Sequence, residues 1–525
     1  MKLAGKNDML INVYSAKCIG IEAVPVTVEV DITSGIGIHL VGLADIAVKE
    51  SLLRTVTALQ SLGFRIPGKK IVINLAPADL QKKGSGYDLP IAVGIISASG
   101  QRDMPGTGSY IIMGELGLDG SVRPVHGSLP VVEMARMNNF RGCILPRESA
   151  MEAAGYGFTK VYGVRNLPEV LRILEDDSSC TDLEIGGHMA HAPGSGTPGF
   201  ASDIPDFSGI YGQEMAKRGL EVAAAGGHNA LMIGPPGSGK STLAKAVAGI
   251  LPPMSMEEAL QTSKIYSVAG KELHRDRQMI LRPFRAPYHN ASAVSLIGGG
   301  SDNIIPGEIS LAHNGVLFLD EFCEMPKKVI ESLRGPLEDR SVTISRLRSR
   351  IRYPASFMLI AATNPCPCGY YGDPDRCTCT PGKRLAYLSR LSGPVMDRID
   401  IHLWISRTAP GRLLDMEKAG PSAPVRERVS EAREIQRERF RGTGIFTNAE
   451  MSGEMTGEFC RLSRECGDFL KKTAENMGLS PRSLHRILKV SRTIADLDKA
   501  KDISMSHISE ATRYRFLDKP DLWML

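Results

Sequence analysis

The chain has 525 residues, of which 42% are hydrophobic and 23% charged, so its length and composition predict a large soluble protein of two or three domains rather than a small binding module. Lysine and arginine total 63 against 58 aspartates and glutamates, and the net charge of +5 is too small to indicate a nucleic-acid partner without a local basic patch. Residues 1–18 lack an apolar core of signal-peptide length and no run of eighteen apolar residues follows, so we expect a cytoplasmic protein without a membrane segment. Ten cysteines in a reducing compartment argue against a disulfide framework.

The first predicted elements are strands and a helix. Side chains of residues 24–30 alternate in polarity as they do in a half-buried strand, so a strand is predicted there. A helix is predicted across residues 45–62. Asp119 and Gly120 stand between strand-like segments, which is the usual signal of a two-residue hairpin turn. The run 114–125 around this pair resembles the proteolytic domain of Lon proteases. That resemblance implies a Lon-type α+β fold for residues 1–175.

The Lon resemblance suggests a protease, but the catalytic pair is missing. Lon-type proteolysis requires a serine activated by a lysine, and no lysine occurs between Lys83 and Lys160. Ser85 lies in a glycine turn and does not fall where the family's nucleophile would. We therefore interpret this first domain as a scaffold or a substrate-contacting module, and casein digestion would be needed to revive the protease hypothesis.

A low-complexity stretch divides the chain. Residues 176–206 are rich in glycine, serine, proline, aspartate and histidine, with little apolar periodicity. Such a composition is typical of a flexible linker. We therefore predict a domain boundary there.

A strand, a glycine-rich loop and a helix then follow in the order that a phosphate-binding P-loop requires. Residues 230–233 are apolar, residues 242–248 favour a helix, and residues 234–241 match G-x-x-x-x-G-K-[ST]. In such a loop backbone N–H groups turn onto phosphate oxygens, Lys240 supplies a mobile positive charge, and the Ser241 hydroxyl can bind Mg²⁺. The predicted ATP-binding residues of this loop are Gly234, Pro235, Pro236, Gly237, Ser238, Gly239, Lys240, Ser241 and Thr242.

Polar residues close the next two apolar strands. Asp320 and Glu321 follow residues 316–319, which read as a strand buried on both faces. We expect Asp320 to hold Mg²⁺ through water and Glu321 to polarise the attacking water. The alternative, an acidic strand end without function, would have to coincide with a P-loop at the right distance upstream. Residues 357–362 form a third such strand, and Asn364 after it can position the lytic water.

Four arginines between these strands recur with a period of two: Arg346, Arg348, Arg350 and Arg352. In one extended strand their side chains would share a face, whereas a hairpin would place them around its tip. Such a cluster of positive charge suits a phosphate backbone, with little discrimination between bases. A solvated basic strand on the outer surface is the alternative interpretation.

Four cysteines cluster within fourteen residues, in the pattern C-x-C, an eight-residue gap and C-x-C. They are Cys366, Cys368, Cys377 and Cys379. Four soft sulfurs suit tetrahedral zinc, and the turn-rich residues between the pairs can fold them together. Free thiols in a loop are the alternative. A structural clip is favoured over a catalytic metal because no histidine or carboxylate pattern leaves an open coordination position.

Near the carboxyl terminus, the residues around position 481 predict a helix start. Ser480 reads as the N-cap and Pro481 as a first-turn residue. The inward stripe of this helix is predicted to be Leu484, Ile487, Leu488, Ser491 and Ile494. Arg482 then projects from a rigid helix start.

Together these segments resemble the AAA+ ATPases and, within them, the magnesium-chelatase-like branch. The wording of residues 282–287, 307–313 and 362–369 is similar to signature segments of the YifB/ComM family. Tyr288 stands where that family has the first of two histidines, and His289 keeps the second. The resemblance extends over most of the chain, from about residue 21 to residue 497.

The family resemblance implies a fold and an assembly. An AAA+ α/β core with a parallel sheet is expected over residues 207–405, and a C-terminal helical lid over residues 406–525. Ring-shaped relatives carry a hairpin before the Asn364 strand that points into a central pore. Arg398 resembles the arginine finger that faces the neighbouring subunit's nucleotide, which implies a homo-hexameric ring. Arg482 matches the second sensor, which reads the γ-phosphate; each of these two arginines could instead be an ordinary salt-bridge partner.

The leading hypothesis is an ATP-driven, helicase-type DNA motor of the ComM kind, which moves branched or heteroduplex DNA during recombination of incoming strands in natural transformation. Its expected cofactors are ATP and Mg²⁺, with structural zinc in addition, and its expected partner is single-stranded or branched DNA. The alternatives are the ATPase subunit of a metal chelatase, which inserts Mg²⁺ into a porphyrin, and a remodelling ATPase that does not act on DNA. The Lon-like domain and the cysteine cluster speak against the chelatase, because the chelatase subunit resembles only the ATPase part.

Overall fold

The structure, a computed structural model, describes residues 10–43, 45–82, 84–157, 159–186, 204–271, 281–300, 304–346, 349–373, 375–391, 393–407 and 420–518. The chain divides into two compact units. The first unit comprises residues 1–195 with 260–278, and the second comprises residues 196–259 with 279–525. Most of the predicted linker, residues 176–206, lies outside the described residues, and the predicted domain boundaries remain predictions.

The first unit has an α+β fold. Its strands are β1 (Ile11–Ile19), β2 (Glu22–Thr33), β3 (Gly37–Val41), β4 (Lys70–Ala76), β5 (Tyr110–Ile112), β6 (Glu115–Leu116), β7 (Val122–Arg123), β8 (Gly142–Pro146) and β9 (Lys160–Val164), and its helices are α1 (Ile46–Ser61), α2 (Asp88–Ala98), α3 (Ser128–Met137), α4 (Arg147–Ala153) and α5 (Leu167–Glu175). Within its described part, seven strands form a mixed sheet in the order β3-β4-β2-β1-β5-β8-β9. Helix α2 is buried from Asp88 to Ile96.

The first predicted strand and helix are confirmed. The predicted strand lies inside β2 and the predicted helix is α1, whose N-cap Asp45 accepts a hydrogen bond from the Val48 N–H at 2.8 Å. The prediction of a two-residue hairpin turn at Asp119 and Gly120 is wrong. The Gly117 N–H donates to the Ser121 carbonyl at 2.8 Å, so three residues separate the paired ends. The longer loop is favoured because Asp119 accepts hydrogen bonds from the N–H and hydroxyl of Ser121.

The second unit contains the P-loop and the helices of the carboxyl-terminal region. Its strands are β10 (Ala230–Ile233), β11 (Phe284–Arg285), β12 (Gly298–Gly299), β13 (Ile305–Pro306), β14 (Val316–Leu319), β15 (Ser341–Arg346), β16 (Ser349–Pro354), β17 (Met358–Thr363) and β18 (Ile401–Trp404). Its helices are α6 (Glu214–Gly226), α7 (Lys240–Ile250), α8 (Met256–Ala269), α9 (Ala293–Ile297), α10 (Glu308–Leu311), α11 (Lys327–Ser332), α12 (Arg334–Asp339), α13 (Pro381–Leu388), α14 (Gly393–Met396), α15 (Ser422–Arg439), α16 (Gly453–Phe459), α17 (Arg464–Met477), α18 (Pro481–Leu497) and α19 (Met505–Arg513). Residues of α8 from 260 onward belong to the first unit.

A parallel sheet forms the centre of the second unit. Its strand order, counted over the described residues, is β11-β14-β17-β10-β18, and each neighbouring pair is parallel. Strands β10, β14 and β17 are buried along their whole length, because residues apolar on both faces need cover on both sides of the sheet. The predicted AAA+ α/β core is therefore confirmed as a fold.

The carboxyl-terminal region is helical, as predicted, and contributes to the same hydrophobic core as the sheet. Helix α18 starts as its sequence predicts, since the Ser480 hydroxyl accepts a hydrogen bond from the Ser483 N–H at 3.2 Å. On its inward stripe Ile487, Ser491 and Ile494 are buried, and Leu484 and Leu488 are partly buried against the core. Across the described residues, no helix combines the length and apolarity needed to cross a bilayer.

Candidate functional site

The predicted P-loop connects the carboxyl end of β10 to the start of α7. Gly239 is the residue before the helix and has φ of +88°, a left-handed conformation that glycine adopts without strain. The helix therefore presents unpaired N–H groups of its first turn to the loop, as an anion site requires. Ser238 Oγ is buried and has no hydrogen-bond partner among the described residues, which fits a loop that still has a polar ligand to bind.

Lys240 lies inside the curve of this loop. Its Nζ donates to the carbonyls of Gly234 at 2.6 Å and Pro235 at 3.0 Å, and to Asn364 Oδ1 at 3.2 Å. Burial lowers the pKa of Lys240, while the carboxylates of Asp320 and Glu321 act in the opposite direction. Among the residues that the structure describes, the hydrogen-bond acceptors of this ammonium group are neutral oxygens rather than a carboxylate. It can therefore transfer its hydrogen bonds to a phosphate without breaking an ion pair.

Ser241 and Asp320 meet beside Lys240. The Ser241 hydroxyl donates to Asp320 Oδ2 at 2.7 Å, and Asp320 Oδ1 accepts from the Glu321 N–H at 2.9 Å. Hydroxyl and carboxylate oxygens are the hard ligands that Mg²⁺ takes, usually together with several waters. The structure therefore brings the two predicted Mg²⁺ residues together, and their chemistry fits a hydrated Mg²⁺ ion.

Glu321 pairs with a histidine from another part of the chain. The distance from His289 Nδ1 to Glu321 Oε2 is 3.0 Å, and the Tyr288 ring stacks on the His289 ring with centroids 4.8 Å apart. Glu321 itself has φ of +50°, in the left-handed region that non-glycine residues seldom adopt. The predicted water-polarising carboxylate is thus held by a residue that follows β11, a partner that the sequence analysis had not assigned.

Asn364 reaches the site because β17 lies between β10 and β14 in the sheet. The carboxyl ends of parallel strands meet at one edge, so Asn364, the P-loop and Asp320 emerge side by side. The Gly234 N–H also donates to the Thr363 carbonyl at 3.2 Å. The structure therefore brings together, at the ends of these three strands, the residues that were predicted to bind and hydrolyse the nucleotide.

The two predicted nucleotide-sensing arginines lie elsewhere in the second unit. Among the described residues, the hydrogen-bond partners of the Arg398 guanidinium are the Glu338 carboxylate and the Pro394 carbonyl. Arg482 Nη1 is 3.2 Å from Asp397 Oδ2. Both arginines are thus in salt bridges, the alternative that the sequence left open, and their roles as finger and sensor remain predictions.

The arginine-rich segment is a hairpin of β15 and β16. Its register pairs Ser345 with Arg350 and Thr343 with Arg352, so these four side chains share one face, and all four are exposed. Arg346 pairs with Ser349 and lies on the opposite face. The segment is therefore the hairpin that the sequence analysis set against one extended strand, and its chain reversal places Arg346 on the face opposite to Arg350 and Arg352. Arg348 lies outside the described residues.

The four cysteines come together in the loop after β17. Their sulfur atoms all lie within 4.8 Å of one another. Cys366 Sγ is 3.3 Å from Cys368 Sγ and 3.9 Å from Cys377 Sγ, and the latter two are 3.7 Å apart. Burial raises the pKa of Cys366 to about 12. Burial acts in the same sense on Cys368, but hydrogen bonds from the Tyr370 N–H and from neighbouring thiols lower its pKa to about 6.

Two of the three segments that carry the family signature contact each other. Arg285 donates to Glu308 through Nε at 2.6 Å and through Nη2 at 2.8 Å. His313 is buried and accepts a hydrogen bond from the Ser356 N–H at 3.0 Å, and burial lowers its pKa to about 4. Sequence reasoning had found these segments without giving them a role; the opposite charges of Arg285 and Glu308 were the available signal of an ion pair.

In the first unit, Ser85 donates a hydrogen bond to the Glu115 carboxylate. Asp88 is buried and accepts from Arg54 Nε at 3.0 Å and from the Leu116 N–H at 3.2 Å. The serine thus contacts a carboxylate, which accepts its proton poorly compared with a neutral amine at neutral pH. This contact is consistent with the interpretation of the first unit as a scaffold rather than a protease.

Comparison with known proteins agrees with this geometry. Family models described as "Magnesium chelatase, subunit ChlI", "Subunit ChlI of Mg-chelatase" and "Magnesium chelatase, subunit ChlI C-terminal" match residues 206–413, 28–149 and 419–515. The uncharacterized protein YifB of Salmonella typhimurium is 41% identical over 510 residues, which cover 97% of each chain, and YifB of Escherichia coli is 42% identical over the same length and coverage. The competence protein ComM of Haemophilus influenzae is 41% identical over 507 residues, 96% of this chain and 97% of its own. The chain belongs to the YifB/ComM family of magnesium-chelatase-like AAA+ ATPases.

Proposed function

We propose that the protein hydrolyses ATP to move strands of branched or heteroduplex DNA, as a helicase-type motor of the ComM kind in recombination and natural transformation. The observation that carries the proposal is the meeting of Lys240, Ser241, Asp320 and Asn364 at the carboxyl ends of three adjacent parallel strands. Phosphoryl transfer needs mainly positioned positive charge and an oriented water. These side chains supply both.

Each residue has a distinct task in the proposed reaction. The N–H groups of the P-loop and the Lys240 ammonium bind the phosphates and neutralise charge that develops on them. Ser241 and Asp320 would hold Mg²⁺, which supplies Lewis-acid stabilisation of the phosphate oxygens when bound. Asn364 orients the attacking water and Glu321 accepts its proton.

The hairpin of β15 and β16 supports the DNA part of the proposal. Arg350 and Arg352 project from the same exposed face, while Val342, Ile344 and Tyr353 are buried and anchor the hairpin to the second unit. A rigid ribbon that presents positive charge to solvent suits the sugar-phosphate backbone of either strand, independently of sequence. A mobile basic strand would have to lose more conformational freedom on binding.

The proposal includes a ring, because Arg398 would act on a neighbour's nucleotide. Arg398 is held by Glu338 through an ion pair whose acidic partner is largely exposed. The Arg398 side chain retains 14% exposure and the Glu338 side chain 63%. Because this carboxylate is mostly solvated, the guanidinium can exchange it for a phosphate of an adjacent subunit. A homo-hexamer of the family's kind would place six such arginines at six sites.

The test is ATP turnover by the purified chain across a panel of DNA forms, with a branch-migration assay beside it. We expect single-stranded or branched DNA to stimulate turnover. Lys240→Ala should abolish both turnover and strand movement, whereas Lys245→Ala, an exposed lysine on the same helix, should leave both unchanged. If DNA does not change ATP turnover and no strand moves in the branch-migration assay, the DNA motor is refuted and an ATPase of another kind remains.

The names of the matching family models favour a second candidate, the ATPase subunit of a metal chelatase. A porphyrin metalation assay with chelatase partner subunits separates the two proposals. Metalation that depends on Lys240 would support the chelatase. If neither DNA nor the porphyrin with its chelatase partner subunits changes ATP turnover, a remodelling ATPase with another substrate is favoured.

We also propose that Cys366, Cys368, Cys377 and Cys379 bind one structural zinc ion. A tetrahedral site with zinc–sulfur distances of about 2.3 Å has sulfurs about 3.8 Å apart. The separations among the sulfurs of Cys366, Cys368 and Cys377 are 3.3, 3.7 and 3.9 Å, and all four sulfurs lie within 4.8 Å of one another. Four sulfurs this close leave space for a single ion rather than a cluster of irons. Metal analysis should find one zinc per chain, and a Cys377→Ser variant with equal zinc content would reject the four-sulfur site.

A further inference from the structure

The cysteine loop lies directly against the nucleotide site. We propose that the metal held by its four thiolates braces the P-loop and Asn364, so that ATP binding depends on an intact metal site. This inference rests on the proposed ATP and zinc sites and adds a coupling between them. It assigns the cysteine cluster a role in nucleotide binding rather than in general stability.

The first contact that supports the coupling joins Gly369 to Pro236. A Cβ atom added to Gly369 would lie 2.9 Å from Pro236 Cδ and 3.8 Å from Asn364 Cγ. The backbone of the cysteine loop therefore packs on the P-loop without room for a methyl group. Asn364 in turn contacts Lys240 at 3.2 Å, so the loop, Asn364 and the phosphate-binding lysine form one connected set.

The second contact joins Tyr371 of the loop to the end of a strand. The Tyr371 ring packs edge-on against Trp404, with centroids 6.3 Å apart, and the Arg384 guanidinium is 4.3 Å from the centre of the Tyr371 ring. Trp404 is the last residue of β18, the strand that pairs with β10. The cysteine loop thus touches the P-loop and the end of the neighbouring strand at once.

Apart from these contacts and the thiols, the loop is held by short-range interactions, such as the hydrogen bond from the Cys377 N–H to the Asp373 carbonyl at 2.9 Å and the ion pair of Arg376 with Asp373. Among the described residues between β17 and α13 there is no helix or strand, only turns. Where a loop lacks regular hydrogen bonding, the free energy of metal binding becomes the free energy that orders it. Loss of the metal would therefore release Gly369 and Tyr371 from their positions, and the P-loop would lose its lateral support.

Two glycines of this loop allow a matched test. Gly369 and Gly372 both have positive φ, of +83° and +95°, so alanine is strained at either position. Only at Gly369 would the added methyl meet the P-loop, since nothing lies within 4 Å of a Cβ at Gly372. Gly369→Ala should weaken the binding of a fluorescent ATP analogue by about tenfold or more, because small misplacements at such sites cost that much. Gly372→Ala should bind with nearly unchanged affinity.

Zinc content and nucleotide affinity are measured on the same full-length preparations. Gly369→Ala and Gly372→Ala should both retain one zinc per chain. The double variant Cys377→Ser, Cys379→Ser should lose the zinc and also bind the analogue about tenfold more weakly, whereas Cys18→Ser, a cysteine of the first unit, should keep both properties. Circular dichroism of each variant checks that the fold is retained, and an absorbance spectrum distinguishes colourless zinc from coloured iron.

The outcomes separate this inference from the function on which it rests. Equal affinities of Gly369→Ala and Gly372→Ala, or normal affinity in the zinc-free double variant, would overturn the brace while leaving the ATPase proposal standing. A wild-type chain that holds zinc but binds no ATP analogue would instead refute the proposed function itself. Parallel loss of zinc and affinity in the double variant, with loss of affinity alone in Gly369→Ala, would support the coupling.

Discussion

Helix α18 holds the segment around Arg398 at two points, and one substitution tests how much each point contributes. Arg482 pairs with Asp397, and Arg486, one turn further along the helix, pairs with Asp400. The first pair is open to solvent, with 78% of the Arg482 side chain exposed, whereas Asp400 retains only 7% exposure. The same chemical change, arginine to glutamine, therefore removes an exposed pair at position 482 and a largely buried one at position 486.

The structure sets the expected magnitudes. Arg486 is the main cause that lowers the pKa of Asp400 against the opposing effect of burial, and His228 Nδ1, 3.2 Å from Asp400 Oδ2, is a further partner. Arg486→Gln leaves Asp400 buried with an incomplete set of partners, a change that typically costs about 3–5 kcal/mol of unfolding free energy. Arg482→Gln should cost less than about 1 kcal/mol, because exposed pairs contribute little.

Denaturant unfolding followed by circular dichroism measures both costs, with ATP turnover measured beside it. In the wild type the folded pKa of Asp400 is depressed, so its stabilisation is present above the unfolded pKa, about 3.9, and is lost as the pH falls further. In Arg486→Gln the Asp400 carboxylate should bind a proton more readily than in the wild type. The difference in unfolding free energy between this variant and the wild type should therefore become smaller towards pH 4. If the two variants lose similar stability, or the difference is independent of pH, the reasoning from burial is refuted.

The remaining predictions concern the hairpin, the proposed catalytic carboxylate Glu321 and the buried histidine His313. Replacing Arg350 and Arg352 by alanine should reduce the salt dependence of single-strand binding by about 0.7 in log–log slope for each lost phosphate contact. His289→Ala should raise basal ATP turnover by up to about fivefold, because it frees Glu321 from a half-exposed polar contact with the imidazole worth up to about 1 kcal/mol. Burial lowers the pKa of His313 to about 4. The unfolded chain therefore binds more protons between pH 6.5 and 4, and stability should fall by up to about 3 kcal/mol as the pH drops through that range.

Each of these has a matched comparison. Replacing Lys471 and Lys472, an exposed basic pair on α17, by alanine removes the same charge and should leave the salt dependence of DNA binding unchanged. If it lowers the slope as much as the hairpin variant does, the contribution of the hairpin arginines is non-specific. A fall in turnover for His289→Ala would mean that this histidine aligns Glu321 rather than restraining it. In equilibrium unfolding at a series of pH values, His313→Gln should lose less unfolding free energy between pH 6.5 and 4 than the wild type does. An unchanged pH profile would contradict the assignment of this loss to His313.

The nucleotide site was largely predictable because its chemistry is written in consecutive residues. The P-loop, the acids after β14 and the amide after β17 each follow an apolar run, and parallel strands bring their carboxyl ends to one edge. The helix start at Ser480 was predictable for the same reason, since a cap concerns groups three residues apart.

Other features depended on contacts between distant parts of the chain. Nothing near His289 indicates that it meets Glu321, because that contact requires β11 and β14 to be neighbours in the sheet. The face of Arg346 depended on where the hairpin turns, since moving the reversal by one residue exchanges the two faces of a strand. The turn at Asp119 and Gly120 was misjudged because the side-chain bonds of Asp119 favour a longer loop.

By itself, the sequence determined which residues form a loop of the phosphate-binding pattern, which acids and amide end the strands, where helices begin and which cysteines can share a metal. These properties arise from short-range sterics and hydrogen bonds between residues close together in the chain. Only the tertiary structure decided that β17 lies between β10 and β14, that His289 holds Glu321 and that Gly369 packs on Pro236. Such contacts depend on the order of strands and on how whole elements pack, which local sequence patterns do not specify.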